Sequence, residues 1–238
     1  MEPSVLIVDD DVDTCDNVSD ILTDLGYRTD TAHNGQDALG LLQQTPYDVA
    51  LLDFKMPGMD GLTLYREIKR LRPGTVAFLV TAFAGGDTAE AAQKAGVRDV
   101  VRKPVVFPKL LTLIDETLSH PLLLMVDDDP EFCESMWQLL TERSYRVCLA
   151  HSQQEARERL LSRAHNIVLI DLKLPDGDGS NVFQLAKATM PKARTVLITG
   201  YRSEMEQTIQ KLLDSGADAV FYKPLDVGNL LEKLEQLA

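Results

Sequence analysis

Cysteine is scarce in this sequence, with Cys15, Cys133 and Cys148 the only three in 238 residues. An odd, sparse set does not make a disulfide scaffold, and no CxxC or Cys/His spacing suits zinc. Cys15 and Cys133 read as buried helix positions. Positive charge is also short: 24 Lys and Arg against 37 Asp and Glu leave a net charge of −13. Phosphate backbones and anionic membranes are bound through cations, so this balance argues against both. The apolar runs are four to six residues long, too short for a signal-peptide core or a membrane span. No glycine-rich nucleotide loop is present, since "FAGGD" (83–87) lacks the lysine and reads as a turn before a helix. There is no helix-turn-helix, no GGDEF-type signature and no basic recognition helix. His33, His120, His151 and His165 lie outside any helical kinase or phosphotransfer context and are expected in loops or at the surface. A reducing, cytoplasmic protein fits these absences.

What the sequence does have is a repeat. "VLIVDDD" (5–11) matches "LLLMVDDD" (122–129), and "YDVALLDFKMPGMDG" (47–61) matches "HNIVLIDLKLPDGDG" (165–179). "VAFLVTAF" matches "TVLITGY", and "VVRKP" matches "VFYKP". The step from Asp9 to Asp53 equals that from Asp127 to Asp171, and both lead by a second equal step to Thr81 and Thr199. The last step, to Lys103 or Lys223, is two residues longer in the second copy, which places the surplus between 200 and 218. A period this long means duplicated domains rather than a solenoid. The boundaries are 1–119 and 121–238, with Pro121 ending the preceding helix near Ser119 and no Gly/Ser linker between.

Each copy alternates short apolar strands with amphipathic segments. Strands are expected at 4–8, 27–31, 48–52, 76–80 and 98–101, and again at 122–126, 145–149, 166–170, 194–198 and 218–221. Helices are expected at 12–25, 35–44, 60–71, 87–95 and 107–119. Strands apolar throughout suit a parallel sheet covered on both faces, and the alternation gives a doubly wound α/β fold. Asp11 and Asp129 suit helix N-caps, and Gly26 sits where the first helix should end.

Ligands of such sheets bind outside the carboxyl ends of the strands. Asp9, Asp10, Asp11, Asp53, Thr81 and Lys103 all fall there, as do Asp127, Asp128, Asp129, Asp171, Thr199 and Lys223. Carboxylates crowded into one cleft repel, and a hard divalent cation such as magnesium removes that cost. The remaining aspartate, Asp53 or Asp171, can attack phosphorus, with the lysine pairing a phosphoryl oxygen and the threonine donating a hydrogen bond.

With this ordered motif set in hand, each copy resembles a response-regulator receiver domain of bacterial two-component signalling. The resemblance implies two flavodoxin-like (βα)5 domains, each with a five-stranded parallel sheet in order 2-1-3-4-5 and helices on both faces. It implies one Mg²⁺ per domain, held by Asp9, Asp10 and Asp53 with the Lys55 carbonyl, and by Asp127, Asp128 and Asp171 with the Lys173 carbonyl. Asp53 and Asp171 would accept a phosphoryl group from a histidine kinase or histidine phosphotransfer protein. Thr81, Thr199, Lys103 and Lys223 would contact that group. The partners implied are the kinase and a downstream target or linked output domain, with a homodimer as a further arrangement and no separate enzyme activity. Pro57, Pro175, Gly61 and Gly179 match the family's loop after the acceptor. Pro104 and Pro224 match its lysine–proline pair, commonly a cis bond.

The match departs where many receivers carry an aromatic switch residue, since Val100 and Val220 stand three before the lysines. Phe221 and Tyr222 read as packing or interface residues. Phe83 and Tyr201 fall at the family's site mouth, where bulk shields an acyl phosphate and predicts slow dephosphorylation. Two other readings stay open. One is a receiver pair cut from a larger hybrid histidine kinase or regulator, with one domain phosphorylated and the other for docking or dimerisation. The other is an aspartyl-phosphate phosphohydrolase, for which Asp9 and Asp11 give a DxD spacing.

Overall fold

In the computed structural model, residues 2–82, 86–200 and 205–238 are described. The chain divides into two compact units, Met1–His120 and Pro121–Ala238. The first runs β1 (Ser4–Val8), α1 (Val12–Asp24), β2 (Arg28–Ala32), α2 (Gly35–Gln44), β3 (Val49–Asp53), α3 (Gly61–Leu71), β4 (Val76–Thr81), α4 (Gly86–Ala95), β5 (Asp99–Arg102) and α5 (Phe107–Ser119). The second runs β6 (Leu122–Val126), α6 (Pro130–Glu142), β7 (Arg146–Ala150), α7 (Gln153–Ser162), β8 (Ile167–Asp171), a hairpin of β9 (Lys173–Leu174) and β10 (Gly177–Asp178), then α8 (Gly179–Thr189), β11 (Arg194–Thr199), α9 (Glu206–Asp214), β12 (Ala219–Tyr222) and α10 (Val227–Leu237).

Each unit is a parallel five-stranded sheet, ordered β2-β1-β3-β4-β5 in the first and β12-β11-β8-β6-β7 in the second. Counted within its own unit, each has the order 2-1-3-4-5. Alternate residues of every central strand face opposite helix layers. In the first unit Leu6, Val8, Leu52 and Leu79 pack with Leu42, Leu64 and Ile68 of α2 and α3. Val5, Ile7, Leu51 and Phe78 pack with Cys15 and Leu22 of α1 and Leu110 and Ile114 of α5. The second unit repeats this, with α7, α8 and α9 on one face and α6 and α10 on the other. Burying each of these large side chains contributes about 1.5–3 kcal/mol, so both faces of both sheets are needed.

Helix starts follow the capping chemistry. Asp11 accepts from the Thr14 amide and Asp129 from the Glu131 and Phe132 amides, with Pro130 in the first turn. Gly26, at φ +87°, closes α1. Its neighbour Tyr27 donates its amide to Leu22 of α1, so sheet pairing starts at Arg28 opposite Ser4. That is why β2 begins one residue later than the hydrophobic pattern predicts. β3 likewise runs on through Asp53, which pairs with Val80. The β9–β10 hairpin was not expected: two-residue strands carry no period to read. His165 lies in the loop before β8, within the expectation of loop or surface, but is buried at 5% exposure. It occupies the place of the buried Tyr47 in the first copy, two residues before the central strand. The segment "FAGGD" falls mostly outside the described residues, and so do residues 201–204 of the stretch expected to hold the second copy's two extra residues.

Candidate functional site

In the first unit the sheet's carboxyl edge gathers side chains from four strand ends. Asp9 follows β1 and is 4% exposed, Asp53 ends β3 and Thr81 ends β4, all buried, while Asp10 is exposed. Lys103 follows β5, just before a cis Lys103–Pro104 bond. Its ammonium lies 2.7 Å from Asp9 Oδ2 and 2.6 Å from Asp53 Oδ1. The other oxygen of Asp53 accepts the Lys55 amide at 2.8 Å, and Asp9 Oδ1 accepts the Asp11 amide at 3.1 Å. Both aspartates are therefore oriented by an ammonium on one oxygen and a backbone N–H on the other. They line an open cleft of about 460 Å³ with Asp10, Lys55, Thr81 and Ala82.

The second unit rebuilds the same arrangement. Lys223 Nζ stands 2.7 Å from Asp127 Oδ2 and 2.7 Å from Asp171 Oδ2, beside a cis Lys223–Pro224 bond. The Lys173 amide donates to Asp171 Oδ1 at 3.0 Å. Thr199 is buried at the end of β11, and Asp128 and Asp129 are exposed on the rim of a cleft of about 620 Å³.

Electrostatics follow from burial. Burial pushes the Asp53 carboxyl above its usual range, against the pull of Lys103. Asp127 is also raised, by burial first, with Lys223 opposing. Burial alone would lower both lysines, but hydrogen bonds to Asp53 and Asp9, and to Asp127 and Asp171, hold Lys103 and Lys223 above the ordinary lysine value. The lysines stay cationic, and the carboxylates crowd against them. Oxygens of Asp9, Asp10 and Asp53 come within 4.8 Å of one another, as do those of Asp127, Asp128 and Asp171. Such an all-oxygen donor set fits a hard divalent cation of the magnesium type.

Glycine at the start of α3 and α8 is needed for close approach. A Cβ on Gly61 would run into the Asp53 carbonyl oxygen, and one on Gly179 into that of Asp171. Asp11 and Asp129 are helix caps. Val220 and Tyr222 share one face of β12, against the α7–α9 layer, with Tyr222 paired in register to Thr199. Phe221 packs on the other face. Phe83 and Tyr201 lie outside the described residues.

Cys15 and Cys133 are buried helix positions as expected, but their contacts and those of several other neighbours had no sequence signal. The Cys15 and Cys133 thiols donate to the Asp9 and Asp127 carbonyls, at 3.4 and 3.3 Å. Nδ1 of His151 is 3.1 Å from the Asp127 carbonyl oxygen. Asp176 accepts the Gln153 and Gln154 amides at 2.7 and 3.0 Å, tying the β8–α8 connection to the start of α7. The Phe132 ring lies 4.9 Å from the Lys223 ammonium.

A doubly wound α/β unit with an acidic, lysine-bearing cleft at its sheet edge is thus present twice. The response regulator receiver domain model matches residues 5–115 and 123–235, and the chain belongs to that family. Response regulator receiver protein Anae109_2439 of Anaeromyxobacter sp. (strain Fw109-5) is 32% identical over 98% of this chain and 94% of its own length. Transcriptional regulatory protein ZraR of Salmonella typhimurium is 37% identical over 49% of this chain, which spans only 26% of that relative. Among solved structures, a CheY-like receiver domain protein from Methanospirillum hungatei JF-1 is 32% identical, covering 50% of this chain and 94% of its own, with a TM-score of 0.48. Receiver-domain, two-component signalling is the function class of this chain. No helix among the described residues is long and apolar enough to cross a membrane.

Proposed function

We propose that each unit accepts a phosphoryl group on its central aspartate, Asp53 or Asp171, from a phosphohistidine of a kinase or phosphotransfer protein. One observation carries this reading. In both units a buried carboxylate is held between a backbone N–H and an ammonium 2.6–2.7 Å away, with two more carboxylates inside 4.8 Å. A buried cluster of this kind is costly as structure alone.

In the transfer, a carboxylate oxygen of Asp53 or Asp171 attacks phosphorus. The new O–P bond forms as the N–P bond breaks, and the leaving imidazole takes up a proton. Lys103 or Lys223 moves from its carboxylate pair to a phosphoryl oxygen, and the Thr81 or Thr199 hydroxyl donates to another. Asp9, Asp10 and Asp53, or Asp127, Asp128 and Asp171, would hold Mg²⁺, with the Lys55 or Lys173 carbonyl. When bound, the ion supplies positive charge to the transferring group. The chain turns over no separate substrate, and the acyl phosphate switches its contacts with a downstream protein or linked output domain. Borohydride reduction after incubation with acetyl phosphate and Mg²⁺ tests the assignment. It should convert Asp53 and Asp171 to homoserine in peptide maps and leave both intact with excess EDTA. Conversion at other aspartates would overturn it.

A further inference from the structure

The two clefts differ at a residue that touches the second site's lysine. Five residues after the first aspartate, the first copy has Thr14 and the second has Phe132. Asp129 fixes Phe132 at the start of α6 by accepting its amide at 3.1 Å. The ring is half-buried and leans on the core layer formed by α6 and α10. From there it lies 4.9 Å from the Lys223 ammonium, which also bonds Asp127 and Asp171.

We infer that Phe132 is a positioning residue for the second site, holding the Lys223 ammonium by a cation–π contact where the incoming phosphoryl oxygen arrives. An ammonium has three N–H donors on a flexible stem. Two are used here on the carboxylates, and the negative face of the ring takes the place of water on another side. A lysine confined this way spends more of its time beside Asp171. Thr14 stands at this position in the first copy and has no ring to offer Lys103, so this cation–π contact belongs to the second site's own sequence. The inference rests on Asp171 being a phosphoacceptor.

The test uses the full chain and follows acetyl phosphate labelling of Asp53 and Asp171 separately by peptide mass. Phe132→Leu should slow labelling at Asp171 by about 2- to 5-fold, the rate equivalent of a solvent-accessible cation–π contact. Labelling at Asp53 is the internal control. Site-specific mono-, di- and trifluorophenylalanine at 132 keeps the ring's shape while draining its π face, and should slow Asp171 in graded order. In NMR spectra, Lys223 side-chain protons should show an upfield ring-current shift that Phe132→Leu removes. A loss in the leucine variant with no gradation along the fluorinated series would mean the ring acts only by packing, which overturns the inference. So would unchanged labelling in every variant. No label on Asp171 in the unsubstituted chain would instead overturn the phosphoacceptor reading beneath it, and the inference with it.

Discussion

His165 makes a heavy demand on its surroundings in the second unit. It is buried, and among the described residues neither ring nitrogen has a hydrogen bond of good geometry, the Arg163 backbone alone opposing its deprotonation weakly. Burial first, then Arg163 and Arg159, push its pKa from 6.5 down to about 3. The folded state therefore takes up the imidazole proton later than the unfolded chain does on acidification. Stability that is complete above pH 6.5 is lost as pH falls toward 3, by about 1.4 kcal/mol per pH unit from this group. Urea unfolding of the second unit, followed by Trp137, the only tryptophan, should show a midpoint that drops between pH 7 and 5. His165→Phe should flatten that drop, and equal slopes in the two proteins would refute the prediction. At the cleft, Lys223→Met would leave Asp127 and Asp171 facing each other without their ammonium. Removing one partner of a buried pair costs about 3–5 kcal/mol. With the Lys223 side chain 28% exposed, solvent screening reduces the expected loss to about 1–3 kcal/mol. A Mg²⁺-dependent recovery of melting temperature should accompany it, measured by calorimetry with and without the ion.

At the scale of elements, the start of α3 and of α8 couples helix placement to the acceptor. Gly61→Ala or Gly179→Ala drives a methyl into the backbone carbonyl of Asp53 or Asp171. Backbone cannot rotate away as a side chain can, so each should cost about 1–3 kcal/mol and slow phosphoryl acceptance at its own aspartate only. Denaturant melts and site-resolved labelling check both halves of this claim. The elements themselves were largely legible because the central strands are apolar runs that lead straight into polar groups, as "VALLD" does. Boundaries slipped by a residue where a helix cap, Tyr27 to Leu22, decided the start of pairing. The site residues could be found in sequence because a parallel sheet sends every strand's end to one edge. What could not be found depends on distance across the fold. Phe132 meets Lys223 only through packing of α6. Asp176 finds the start of α7 through a hairpin too short to carry a period. His165 lies in a loop, and its burial shows only in the fold.

At the scale of the whole molecule, the duplication is the main fact. Two units of one topology carry two clefts of the same composition, and differences such as Phe132 against Thr14 or Asp176 against Gly58 set them apart locally. The net charge of −13 is concentrated in part at these clefts, where it suits a bound cation. The central claim is that both clefts work as phosphoacceptors. The most direct test is intact mass after incubation with acetyl phosphate and Mg²⁺, for the unsubstituted chain beside Asp53→Asn and Asp171→Asn. Two added phosphoryl groups, falling to one in each variant, is the expected result. A single group in the unsubstituted chain, or two groups that persist in either variant, would contradict the account.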